Sequence, residues 1–162
     1  MRLSPHPALS SQQALTCRLP ADDAPIVLDT NVVLDWLLFS DPSSTNLAAA
    51  IVGGRLRWVA SLAMRDELAE VLRRGLAQAR GVDAAEVLAA WDTHVTLVAS
   101  APPLPATFGL QCTDRDDQKF LDLALAEGAP WLLSRDHALL KLARRARRCG
   151  LTITIPDRWQ AP

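Results

Sequence analysis

The chain has 162 residues, 49% of them apolar, which is enough for one domain with a full hydrophobic core. No apolar run approaches the roughly 18 residues of a membrane span, so a soluble, cytoplasmic protein with no membrane partner is expected. A formal net charge of −1 gives no bulk sign of nucleic-acid binding, and Cys17, Cys112 and Cys149 form no CxxC pair, which favours reduced thiols over disulfides or a zinc site.

In chain order, residues 1–24 carry Ser4-Pro5-His6-Pro7 and no hydrophobic signal-type stretch. They read as a poorly ordered extension before a domain over residues 25–160. Ile26 to Asp29 reads as the first strand, Asn31 to Phe39 as a helix, and Ser44 to Val52 as a second helix stopped by Gly53-Gly54. Arg57 to Ala60 is the second strand, after which Ser61 is expected to cap a helix reaching about Arg74. Asp83-Ala84-Ala85-Glu86 has the form of a capping box and opens a helix to about His94. Val95 to Val98 is the third strand, and Ala101 to Thr113 a loop kept irregular by Pro102, Pro103 and Pro105. Asp116 to Glu127 is helical, Trp131 to Ser134 the fourth strand, His137 to Cys149 a single helix ended by Gly150, and Thr152 to Ile155 the last strand. Strands alternating with helices predict an α/β fold: a three-layer α/β/α sandwich around a central, mostly parallel sheet of four to five strands.

Leu28-Asp29-Thr30-Asn31 ends the apolar run Ile26-Val27-Leu28. An ionised Asp beside a core is costly unless it is paired or holds a cation, yet Asp, Thr and Asn also favour helix N-caps, so the tetrapeptide by itself reads both ways. Three further acids stand at related places. Glu67 shares a helix face with Met64 and Val71. Asp117 opens the helix whose inner face carries Phe120, Leu121 and Ala124, with Asp114 and Asp116 competing for the cap. Asp136 follows the fourth strand as Asp29 follows the first. Each has an ordinary reading as a cap or surface charge. Together, in an open α/β sheet, they converge at the carboxyl edge, where ligands bind.

These segments resemble the PIN domain, a metal-dependent nuclease fold found in many bacterial toxin–antitoxin toxins. The resemblance runs from about Ile26 to Trp159. It is carried by Val27-Leu28-Asp29-Thr30-Asn31, by Ala63 to Leu72 around Glu67, by Asp114 to Ala124, and by Trp131-Leu132-Leu133-Ser134-Arg135-Asp136. It implies that Asp29, Glu67, Asp117 and Asp136 are catalytic and metal-ligating, and that Asn31 and Ser134 support them; Thr30 is expected to join them in orienting waters and carboxylates. One departure is that Ala138 stands where the family often has a further acid, and His137 beside it reads as a surface helix residue. An all-oxygen donor set points to Mg²⁺ or Mn²⁺, and the resemblance implies metal-dependent hydrolysis of RNA phosphodiesters. The resemblance also implies a cognate antitoxin and allows a homodimer.

Fifteen of the seventeen basic residues are Arg, and five basic residues fall between Lys141 and Arg148. Lys141, Arg144, Arg145 and Arg148 form a stripe at helical spacing opposite Leu139, Leu142, Ala143 and Ala146, either a solvated face or a track for an RNA backbone. Arg65, Lys119 and Arg135, each close to a candidate acid, are further candidates for RNA contact. The five Trp residues are expected mostly in the core, with Trp36 or Trp58 open to a partner. The alternative function is a catalytically inactive module that keeps the fold and binds RNA or a protein. A phosphatase of the haloacid dehalogenase type is disfavoured, because Asp29-Thr30-Asn31 lacks that family's second Asp.

Overall fold

A computed structural model of the protein describes residues 23–105 and 108–161. The expected extension lies almost wholly outside the described residues, as does Cys17; Ala24, assigned to that extension, instead begins the first strand. Five strands form one sheet: β1 (Ala24–Leu28), β2 (Leu56–Ala60), β3 (Thr96–Leu97), β4 (Trp131–Leu133) and β5 (Thr152–Thr154). Their order is β3-β2-β1-β4-β5 and every pairing is parallel. The strand sequences explain this. Ile26, Val27, Leu28, Val59, Leu132 and Leu133 are each at most 2% exposed, and consecutive buried residues on a strand require both faces of the sheet to be covered.

Helices supply the cover. They are α1 (Thr30–Leu37), α2 (Thr45–Val52), α3 (Leu62–Val71), α4 (Ala77–Ala79), α5 (Ala84–His94), α6 (Gln118–Ala126), α7 (His137–Leu140) and α8 (Ala143–Ala146). Helices α1, α3 and α5 contact one another, α6 lies on β1 and β4, and α7 and α8 lie on β5. Among the described residues, no helix is long and apolar enough to cross a membrane. Trp58 is 1% exposed and packs against Trp36 and Trp91, so it is core rather than open to a partner; half-buried Trp36 stacks on His94 at 5.3 Å.

Several expected elements change in ways that matter for the site. Ser61 occupies the N-cap of α3, but its hydroxyl makes no cap hydrogen bond. The expected helix over 137–149 is interrupted. After α7 the ladder tightens to three-residue bonds, with Leu142 N–H donating to Leu139 O at 2.9 Å, and residues Arg147–Cys149 form a 3-10 turn. Leu139, Leu142 and Ala146, at the i, i+3, i+7 spacing of one helix face, remain buried through the interruption. Gly150, at φ 78°, closes this turn in the left-handed region that only glycine enters without strain. Helix α6 starts at Gln118 rather than Asp116, because Asp114 to Asp117 form a turn in which Asp114 Oδ1 accepts from Asp116 N–H at 2.9 Å.

Candidate active site

Asp29 continues the register of β1, its N–H donating to Leu133 O at 2.9 Å, and its main chain takes the N-cap position of α1. Its carboxylate does not cap. It is 3% exposed and accepts the Ser134 hydroxyl at 2.6 Å, and the same hydroxyl oxygen accepts the Asp136 N–H at 2.9 Å. Ser134 thus ties the ends of β1 and β4 together across the sheet. Thr30, also buried, donates its hydroxyl to Glu67 Oε1 at 2.6 Å. Asn31 is exposed on the first turn of α1.

The other acids reach the same place by different local routes. Asp136 is the N-cap of α7 and spends Oδ1 on the N–H groups of Ala138 at 2.6 Å and Leu139 at 3.3 Å, so its ordinary capping role is real. Asp117 takes the N-cap position of α6 without a side-chain cap bond. Burial, and then the charges of Asp29, Asp136 and Asp114, push its carboxyl up to about 7 from 3.8. Asp29 is also raised, by burial first and then, against the Ser134 bond, by the charges of Glu67 and Asp136. Three carboxyls from three chain segments therefore feel one another in a partly dry recess. Glu67, half-buried on α3, is electrically answered by Lys119, whose ammonium donates to Glu67 Oε2 and to the Asp116 carbonyl.

Among the described residues, no three His, Cys, Asp or Glu side chains are grouped tightly enough to cage a metal ion directly. The donor chemistry nonetheless fits an ion of the Mg²⁺ type, which keeps several waters and takes only one or two carboxylates from the protein. Mutually repelling, desolvated carboxyls supply the electrostatic demand.

The basic candidates separate. Arg65 forms a two-pronged pair with Asp92, at 2.7 and 2.6 Å, beside Trp91, and so fastens α3 to α5. Arg135 is held by Asp35 at 2.6 Å, Asp157 at 2.9 Å and Ser43 at 2.8 Å, which use three of its five donors. Lys141, Arg144 and Arg145 line a cavity of about 300 Å³ with Gln111 and Thr113. That cavity adjoins the acids: Cys112, between Gln111 and Thr113, has its thiol pushed up by burial and then by the charges of Asp117, Asp136 and Asp114. Arg148 faces a different hollow with Pro102, Pro103 and Phe108, so the expected four-residue stripe splits.

Sequence reasoning missed Gln118 and Asp122. Asp122 is buried and accepts from Gln118 Nε2 at 2.8 Å and from Leu104 N–H at 3.2 Å. Gln118 also accepts from Cys112 N–H at 2.6 Å and donates to Leu110 O at 3.1 Å, which pins the Pro-rich loop beside the acids. Their i,i+4 spacing was the available signal.

An open, all-parallel α/β sheet with acids gathered at its carboxyl edge defines the class of protein. Residues 25–138 match the family model described as PIN domain, and the chain belongs to the PIN domain family, whose members are in general nucleases. No curated protein is significantly similar to it. Among solved structures, the fold is similar to that of VapBC2 from Rickettsia felis, crystallised with a DNA fragment from its promoter. The TM-score is 0.56 at 14% identity, over 80% of this chain and 96% of that one.

Proposed function

We propose that the protein is a divalent-metal-dependent endoribonuclease and the toxin half of a toxin–antitoxin pair. The observation that carries the reading is the mutual electrostatic contact of Asp29, Asp117 and Asp136, with Asp117 raised to about 7. The fold shared with VapBC2 supports the toxin role and an antitoxin partner. Asp29, Asp117 and the uncapped oxygen of Asp136 would hold Mg²⁺ or Mn²⁺, in part through water. When bound, such an ion supplies positive charge for the phosphate and lowers the pKa of water. Glu67, oriented by Thr30 and held by Lys119, positions the attacking water. Lys119 has three donors and spends two on Glu67 and Asp116, which leaves one for a phosphate oxygen. The RNA backbone approaches over Lys141, Arg144 and Arg145.

The test is cleavage of single-stranded RNA by the full chain with Mg²⁺ or Mn²⁺. Activity is expected to vanish with EDTA and to fall about a hundredfold or more in Asp29→Asn and Asp117→Asn, with circular dichroism unchanged. Equal cleavage by folded variants overturns the reading. The absence of a preformed three-acid cage among the described residues favours one competitor, a binding module without catalysis. It predicts RNA retention that depends on Lys141, Arg144 and Arg145, with no hydrolysis under any metal.

A further inference from the structure

A hollow of about 760 Å³ lies beside β5, with Arg135 and His137, the chain neighbours of Asp136, in its lining. Its lining includes Thr152, Ile153, Thr154 and Ile155 in succession. Side chains alternate across a strand, so a hollow that meets four consecutive residues runs along the strand's edge rather than over one face. That edge is open, because β5 is the last strand of the sheet and pairs only with β4. On the paired side, Thr152 N–H donates to Pro130 O at 2.9 Å and Thr154 O accepts from Ser134 N–H at 3.0 Å. Main-chain groups of successive residues point to opposite sides of a strand, so the N–H and C=O of Ile153 and the N–H of Ile155 face the hollow. The C=O of Ile155 is already taken by Arg158 N–H at 3.1 Å.

The walls add chemistry to this edge. Trp131, Leu140 and Ala143 provide apolar surface, and Trp131 is braced edge-on by Trp159, with ring centres 6.2 Å apart. Arg135, Arg147 and Arg158 line the hollow with His137, and no acid lines it. Arg135 is neutralised by Asp35 and Asp157. Among the described residues Arg147 and Arg158 have no ion-pair partner, and both are exposed. Unpaired strand edges are templates for another chain, and proteins commonly blunt them with a covering element. Here no further strand among the described residues pairs with the edge, and Ile153, 3% exposed, is reached only through the hollow.

We propose that the β5 edge is a docking site for an extended acidic segment of a partner protein, which adds as a sixth strand. Its main chain pairs with Ile153 and Ile155, its carboxylates meet Arg147 and Arg158, and its intervening apolar side chains lie on Trp131, Leu140 and Ala143. Charge decides among occupants. A second copy docking edge to edge would set Arg147 and Arg158 against the same residues of its partner, whereas an acidic segment neutralises them. Alternating main-chain donors and an apolar floor suit a peptide, because a nucleic-acid backbone offers no N–H or C=O ladder for the edge.

The experiment is fluorescence anisotropy of a labelled nonapeptide that alternates Glu with Val and Thr, titrated with the full chain, with amide hydrogen exchange followed by NMR. Saturable binding with slowed exchange at Ile153 and Ile155 is expected. The double variant Arg147→Glu, Arg158→Glu should bind about tenfold more weakly, from two exposed charge pairs. Replacing Glu by Lys in the peptide, or N-methylating alternate residues to remove the ladder donors, should abolish binding. Absence of binding overturns the proposal, as does equal binding of the N-methylated peptide. So does a labelled oligo-uridine that displaces the peptide through Arg147 and Arg158, which makes the hollow a nucleic-acid track. A concentration-dependent dimer by light scattering, lost in the double variant, overturns it in favour of a second copy.

Discussion

At Asp29 the main chain and the side chain do different jobs. The backbone enters α1 in extended conformation, with φ −67° and ψ 152°, as an N-cap does, while the carboxylate turns to Ser134 and away from the helix. Asp136 does the reverse with one oxygen, and Asp117 does neither. Three acids at three N-caps thus have three fates, and residue type does not choose among them. The choice is made by burial and by neighbours from distant parts of the chain. Asp117 carries a measurable consequence. Its carboxyl titrates at about 7 in the folded protein against 3.8 when unperturbed. Between those values the folded state holds a proton that the unfolded state has released, so protonation favours the fold. For the metal-free protein in EDTA, stability contributed by this group is greatest near pH 4, falls as pH rises to about 7, and is flat above. Solvent around the half-buried carboxyl screens the effect to about 1 kcal/mol. Urea midpoints measured from pH 5 to 8 should show the fall, and Asp117→Asn should flatten it; an unchanged slope in the variant would show that Asp117 is not perturbed.

At the scale of elements, the helices and strands follow from local rules, and their ends do not. Strand β1 is legible because Ile26-Val27-Leu28 reads as a buried parallel strand, and α5 because Asp83 caps it by accepting from Ala85 N–H at 2.9 Å. The segment from His137 to Cys149 has the apolar spacing of one helix, and its buried residues are those the spacing picks. The hydrogen bonds nonetheless tighten after Leu140, where Leu142 N–H donates to Leu139 O and Arg145 N–H to Leu142 O, each at 2.9 Å. That break sends Arg148 away from Lys141, Arg144 and Arg145. The loop over 101–113 is held by a side-chain clamp rather than by backbone regularity. Gln118→Ala removes bonds to Cys112, Leu110 and Asp122 and leaves the buried Asp122 carboxylate short of a donor. A loss of about 2 kcal/mol is expected in chemical denaturation, with faster amide exchange at Cys112. An unaltered exchange rate there would show that the loop is fixed by other contacts.

For the whole molecule, a cation held by the acids at the carboxyl edge of the sheet would couple binding to folding. If a divalent cation binds the folded acids and not the unfolded chain, Mn²⁺ at a hundred times its Kd adds about 2.7 kcal/mol of stability. The melting temperature should rise with Mn²⁺ and fall back with EDTA, and the rise should be absent in Asp29→Asn. Because Asp117, raised to about 7, is only about half ionised at neutral pH, binding should also release protons, seen as a calorimetric heat that varies with buffer ionisation enthalpy. A melting temperature indifferent to metal would remove the basis for a cation site.

By itself, the sequence determined the alternation of strands and helices, the apolar runs of the core strands, and the candidate acids, three at element ends and Glu67 on the inner face of a helix, because periodicity and end signals are local and chemical. The tertiary structure alone decided which acids face one another, which carboxyls are raised, and which cations stay free. Ser134 joins Asp29 across 105 positions of sequence, and Arg135, beside an acid in sequence, is consumed by Asp35, Asp157 and Ser43. Burial and Coulomb interaction depend on distance in space, and no spacing along the chain carries that distance.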